Sequence, residues 1–422
     1  GAVVARAHED PRSTIHIEDA KTFFSLHNNV YDIIIAEPSN PWVSGVASLF
    51  STEFYGTVKR YLEPDGLFVQ WIQLYEFSDE LVESILKALT ENFSDYVIYT
   101  TDGSNILLIA RDEGELPEPD WSVLFESGMA NDLAKLDINN EYDMTVRKLS
   151  DRDSLLPYLR KSSVPTNSDY YPYVDLNAGR ARYTRTQALM FNYWAVAPLP
   201  MIEMLAGDQL RYDKLTTRPL WDRVKGVQNA NWIYRRLVEN ETLEQLGDTA
   251  NFMPNELVLL ADLIGSSQKT CDSSDGTQRW HFAVHEVMVN SLPYIDDRRG
   301  AALVDRISSA NCIIQRDPVV AMWMGLYDAV ARRNADMMSV AATQLLSEES
   351  IVEPFLLDYL LAGALLGDIT ANRPDNAKNT WEEWGQQRPV DLPLPGYLEL
   401  LGSIADAGDA QSGTSLARSS DQ

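Results

Sequence analysis

The sequence predicts an α/β chain in which a partial doubly wound sheet, residues 1–185, is followed by an all-α part. Three observations predict it. Strand-like and helix-like segments alternate from Ser13 to Arg111. The run Tyr31 to Ala36 is nearly continuous in apolar residues, the texture of a strand covered on both faces. After about residue 186 no strand pattern returns, and apolar residues recur at helical spacing.

The elements follow in order. Ser13 to Glu18 (STIHIE) reads as a strand, Asp19 to Leu26 as a helix and Tyr31 to Ala36 as the buried strand. Leu49 to Leu62 reads as a helix with Phe50, Phe54, Val58 and Tyr61 on one face. A Pro64–Gly66 turn leads to a strand from Gly66 to Ile72. Ser78 is placed to cap a helix running to Asn92, with acids in its first turn. Asp95 to Thr100 and Asn105 to Ala110 form a hairpin across Thr101–Ser104. Residues 112–119 are a polar, proline-bearing linker, and short helices are expected from there to Arg160.

Composition narrows the class. With 62 acids against 35 Lys plus Arg, the net charge of −27 disfavours nucleic acid and anionic membrane as partners. Hydrophobic residues at 45% and aromatics at 10% argue for a globular chain. No apolar run reaches the roughly 18 residues of a membrane helix, no secretory leader opens the chain, and a cytoplasmic location is expected. Cys271 and Cys312 are too few for a structural zinc site, and they read either as buried thiols or as one disulfide.

Beyond residue 186, a helical connector is expected over 186–250 and a helical-repeat-like domain, able to fold independently, over 251–410. Helices fit Pro254–Ile264, Arg279–Asn290, Arg299–Ser309, Pro318–Arg332, Asp336–Leu346, Pro354–Leu366 and Tyr397–Ala407. Pro318–Ser350 and Glu353–Pro389 read as two helix hairpins of similar length, with Gly325 and Gly363 in comparable places. That period suggests a tetratricopeptide-like array, with a protein-binding or self-associating surface. The tail from 411 to 422 is expected to be disordered.

The stretch Tyr31 to Trp71 puts a carboxylate, Glu37, just past a strand, where open α/β sheets bind ligands. A loop with Pro38, Pro41 and Trp42 follows it, and NSDYYPYVDL spans Asn167 to Leu176. Together these segments resemble the spermidine/spermine synthase family, most closely a bacterial branch with EPSNPW in its gate loop, often fused to membrane segments. That branch carries an N-T-D-D-R-P-x-L-E-F pattern near the end of its catalytic domain. Asn167, Asp169, Pro172 and Asp175 match it, while Tyr170 and Tyr171 replace the usual acid and base. The resemblance covers roughly residues 10–185.

The resemblance implies a methyltransferase-like Rossmann sheet and a donor that is decarboxylated S-adenosylmethionine or S-adenosylmethionine. It also implies a small-molecule amine as acceptor and no metal. In the family, paired acids flank the gate as D-x-x-D, and Glu37 and Asn40 stand there here. Glu37 takes the role of base or amine anchor, or else caps the loop or the following helix, while Asn40 accepts no proton and offers no full charge. Asp19 and Ala20 match the pair that meets the adenine, an aspartate equally suited to cap a helix. Glu37 and Pro38 line the donor, and Gln70 or Gln73 matches a glutamine that contacts the amine. Tyr75 and Asp102 are candidates for the same edge.

Such a sheet opens with a glycine-rich turn and an acid-ended second strand. Nothing before Tyr31 has the form G-x-G, and after Gly1 the next glycine is Gly45. The chain is therefore expected to be a piece that starts just before the family's third strand, inactive by itself. An N-terminal membrane domain fits in its parent. Two other readings stay open: a non-catalytic Rossmann remnant carrying a helical protein-binding domain, and a methyltransferase for another substrate. His281 and His285, four apart on a helix, lack a third ligand in their pattern and read as packing residues, as do Trp323, Trp381 and Trp384.

Overall fold

A computed structural model describes residues 9–43, 45–126, 128–207, 215, 222–246, 255–266, 274–309, 312–348, 353–389 and 392–407. The expectations for Cys271, the Cys312 side chain and the tail lie outside the described residues. Among the described residues no helix is long and apolar enough to cross a membrane.

Five strands form one sheet in the order β1-β2-β4-β3-β5. They are β1 (Tyr31–Ala36), β2 (Leu62–Gln73), β3 (Asp95–Thr100), β4 (Asn105–Arg111) and β5 (Lys148–Asp151). β1 and β2 are parallel, and the remaining pairs are antiparallel. The hairpin forms as the turn residues predict. β5 was not anticipated; its four residues are too short to show alternation, and only pairing with β3 makes them a strand.

Helices α1 (Ala20–Leu26), α2 (Thr52–Lys59), α3 (Asp79–Thr90), α4 (Arg152–Lys161) and α5 (Tyr173–Thr184) accompany the sheet. Phe68, Ile72, Tyr96, Ile98, Ile106 and Leu108 are buried on one of its faces. Phe68 stacks on Phe93 just past α3, and the Tyr96 hydroxyl meets Thr90 at 2.9 Å. The predicted helix from Leu49 divides. A 3-10 turn covers Val46–Phe50, and the Ser51 hydroxyl then caps α2 by accepting from the Phe54 N–H at 3.2 Å. Phe50, Phe54 and Val58 are buried, as their spacing predicts.

Three expectations are corrected. Ser13–Glu18 forms no strand, because no described neighbour offers it a ladder, and Ile17 stands 98% exposed. β1 is not covered on both faces. It is an edge strand, with Ile33 56% and Ile35 70% exposed, since nothing described lies beyond it. Ser78 occupies the cap position of α3 without a side-chain bond. Asp79 instead accepts the N–H groups of Leu189 and Met190, at 2.7 and 3.0 Å, and so caps the short helix Met190–Ala195.

The Pro64–Gly66 turn lies inside β2 as a bulge, since Tyr31 faces Leu62 while Ile33 already faces Leu67. A Cβ on Gly66 would stand 2.9 Å from the carbonyl oxygens of Glu63 and Tyr31, so the bulge admits only glycine without a shift.

The second part is helical: α6 (Asp222–Leu237), α7 (Asn255–Ser266), α8 (Ser274–Val289), α9 (Asp297–Ser308), α10 (Pro318–Ala331), α11 (Ala335–Leu346), α12 (Pro354–Thr370), α13 (Pro374–Trp384) and α14 (Gly396–Asp406). α10/α11 and α12/α13 are the two expected hairpins. Gly325 and Gly363 differ in packing, however: a Cβ on Gly363 meets Ala342 at 3.5 Å, and one on Gly325 meets nothing within 4 Å. α14 returns to pack against α4, and Trp194 donates to the Gly396 carbonyl at 3.0 Å. The partly buried pair Arg333–Glu203, at 2.9 Å, ties α10's end to the short helix Met201–Ala206.

His281 and His285 lie among Trp323, Tyr327, Phe355 and Tyr359. His285 Nδ1 meets the Tyr327 hydroxyl at 2.9 Å. Burial, reinforced by His281, holds His285 down at about 3. Burial also lowers His281, against a smaller opposing pull from Asp317. The unfolded chain takes up these protons near pH 6.5 and the folded one does not, so this stabilisation is complete above about pH 6.5 and is lost as pH falls toward 3. His285→Gln should therefore narrow the fall in Tm between about pH 7.5 and 5. Equal falls in both proteins would place the acid sensitivity elsewhere.

Candidate functional site

Parallel β1 and β2 bring their carboxyl ends to one edge, where Ala36 faces Gln70. Glu37 leaves β1 there, exposed, and among the described residues its carboxylate has no hydrogen bond or ion pair. The loop after β1 turns back at once, the Val43 N–H donating to the Asn40 carbonyl at 3.0 Å. Two prolines restrict its backbone. Pro41 is buried, and Trp42 is half-buried under the Arg182 guanidinium, 4.9 Å from the ring centre. Arg182 also approaches Glu76 at 4.0 Å, so α5 is linked to both this loop and the turn after β2. Sequence patterns missed Arg182, whose only signal is spatial.

The two glutamines separate clearly. Three apart on a strand, they point to opposite faces. Gln70 is fully buried under α2, where Oε1 accepts the Tyr55 hydroxyl and Nε2 donates to the Leu49 carbonyl at 3.1 Å. Burial also raises the Tyr55 hydroxyl well above its ordinary value, so it stays a donor. Both ends of the Gln70 amide are thus engaged inside the scaffold. Gln73 donates to the Tyr75 carbonyl at 3.2 Å, and its buried Oε1 has no partner among the described residues. It retains an acceptor at the sheet edge. The Asn40 side chain, half-buried, is likewise without a partner among the described residues.

Asp102 sits at this same edge, but its carboxylate is occupied by the Ser104 N–H at 2.9 Å and the Asn105 amide at 3.1 Å. Tyr75 is 40% exposed and bridges to Gln187. Asp19 caps α1 through Oδ1, which accepts from the Thr22 N–H at 2.9 Å and the Thr22 hydroxyl at 3.1 Å. These bonds, the backbone one first, hold its carboxyl below the usual value. This end of the sheet offers the Glu37 carboxylate, the Asn40 amide and the Gln73 Oε1 acceptor, with Arg182 over Trp42 and Arg147 donating to the Thr101 carbonyl beside Asp102.

Asn167 holds this arrangement in place. Its buried amide donates to the Ala47 and Phe50 carbonyls, at 3.3 and 2.9 Å, and accepts from the Val174 N–H at 3.1 Å. Its backbone accepts from Thr52 and donates to Ser84. Beside it, Asp169 pairs with Lys21 of α1 at 2.8 Å and gives its N–H to Glu53 of α2. Tyr170 is 92% exposed and takes no part.

Residues 2–102 match the spermine/spermidine synthase domain. Over 98 residues the chain is 34% identical to a polyamine aminopropyltransferase of Moorella thermoacetica, which is 23% of this chain and 34% of the relative. A polyamine aminopropyltransferase of Enterobacter sp. is 35% identical over 96 residues, 22% and 32% of the two chains. One of Bacillus subtilis is 27% identical over 99 residues, 24% and 36%. The chain spans about a third of the length of these relatives.

Asn167→Ala should lower stability by about 2–4 kcal/mol, because it leaves the buried Phe50 carbonyl and Val174 N–H without their partner and removes a bond from the Ala47 carbonyl. Urea denaturation measures this. A loss under about 0.5 kcal/mol, the usual scale of surface changes, would deny the clasp its role.

Proposed function

We infer, from the match of residues 2–102 to the spermine/spermidine synthase domain, that the β1–β2 edge serves aminopropyl transfer to an amine. The observation that carries the reading is Glu37, an uncommitted carboxylate at the carboxyl end of a parallel strand, inside the matched segment. The donor proposed is decarboxylated S-adenosylmethionine. The amine nitrogen attacks the carbon next to the sulfonium, the C–S bond breaks, and its electrons neutralise the sulfur. Glu37 takes the proton that the new ammonium sheds. Gln73 Oε1 and Asn40 hold the amine's N–H groups, while Trp42 and the prolines shield the gate. Gln70 supports the scaffold rather than the amine in this reading. Asp19 uses only Oδ1 for its cap, which leaves Oδ2 for an adenine amino group beside the Ala20 N–H.

Asn40 where the family has an acid removes one full charge, so the acceptor proposed carries less positive charge than the usual diamine. The open edge of β1 favours a second statement: the described residues wall the donor on one side only.

Two measurements test this. Titration of the chain with decarboxylated S-adenosylmethionine or methylthioadenosine should give no saturable micromolar binding, and tight binding would overturn the one-walled pocket. In an active protein that contains this chain, Glu37→Gln should cut transfer by a factor of about 100 to 10,000 with nucleoside binding retained. An unchanged rate would remove Glu37 from the chemistry.

A further inference from the structure

We propose that His16, Glu18 and His27 form a divalent transition-metal site, with zinc(II) the best-suited ion. Their ligand atoms all lie within 4.8 Å of one another. Glu18 Oε1 is 3.9 Å from His16 Nδ1 and 3.7 Å from His27 Nε2. Those gaps are too long for hydrogen bonds, which need roughly 2.7–3.2 Å. They approach the edge of a tetrahedron, about 3.4 Å for metal–ligand bonds of about 2.1 Å. A small rotation of each side chain closes the difference, and the exposed fourth position is open to water or another ligand.

The backbone that carries these groups is held independently of any ion. His27 is the C-cap of α1, its N–H donating to the Phe23 carbonyl at 3.1 Å. α1 is fixed by the Asp19 cap, by Lys21 on Asp169, and by buried Phe24 against Tyr61 at 4.9 Å. Phe23 lies against both imidazoles, 5.0 Å from His16 and 4.5 Å from His27, and restricts their rotation. Glu18 has no lysine or arginine partner among the described residues. Two imidazoles and one carboxylate suit zinc or cobalt rather than magnesium or calcium, which favour all-oxygen sets. The ion would join the extended segment 13–18, which has no ladder, to the end of α1. This site stands apart from the aminopropyl reading and does not depend on it.

The test uses the tag-free, metal-free full chain. Calorimetric titration with zinc(II) should show one equivalent bound with a micromolar or tighter Kd, unaffected by excess magnesium. Cobalt(II) should develop the intense visible bands of a low-coordinate site. His16→Ala and His27→Ala should each weaken binding at least about tenfold, since even outer-shell losses cost 10- to 100-fold. The double variant should abolish the cobalt bands. All three residues are solvent-accessible, and far-ultraviolet circular dichroism confirms folding of the variants. Absence of saturable binding, or unchanged zinc affinity in the double variant, would overturn the site.

Discussion

The buried amide of Asn167 is the constraint on which the arrangement at the sheet edge depends. One side chain closes three hydrogen bonds at once, with the Ala47 and Phe50 carbonyls and the Val174 N–H. It thus joins the end of the gate loop to the start of α5. Neither a carboxylate nor an apolar side chain can do this, because the site needs two donors and one acceptor in a dry place. Its backbone bonds to Thr52 and Ser84 extend the same joint to α2 and α3. Glu37 and Asn40 keep free polar groups because the anchoring of the loop is assigned to Asn167, Pro41 and the Trp42–Arg182 contact.

The sheet shows a second division of labour. Its helix-covered face is tightly closed: the Gln70 amide is satisfied by Tyr55 and Leu49, and Phe68 stacks on Phe93. The other face and the β1 edge stay more open at Ile33 and Ile35, while Gln73 on that face is buried, its Oε1 without a partner among the described residues. The Glu37 carboxylate and the Asn40 amide, without partners among the described residues, stand at the carboxyl end of β1. A net charge of −27 adds a field that favours a cationic partner there.

Much of this was legible beforehand. β1, the β3–β4 hairpin and most of the long helices begin and end within a few residues of where periodicity, caps and turn residues put them, because those signals are local. Pro318 and Pro354 open their helices at N1, where proline belongs. The gate loop and Glu37 were legible for the same reason, as a strand end, two prolines and a carboxylate in one short run. β5 was not, since four residues carry no period, and neither was the division at Ser51, where one hydroxyl stops a 3-10 turn and starts a helix.

The sequence by itself determined most of the longer helices, β1 and the β3–β4 hairpin, the apolar face of the helix that follows the loop, and that an acid stands at the end of β1. Only the tertiary structure decided what those sides meet. It left β1 at an edge, turned Gln70 under α2 and Gln73 away from it, brought α14 back to α4, and set His16 and His27 about Glu18. The physical reason is that a residue's period records its preference for cover, while the cover comes from chain far away in sequence. A buried amide or a carboxylate is committed or free according to those distant neighbours.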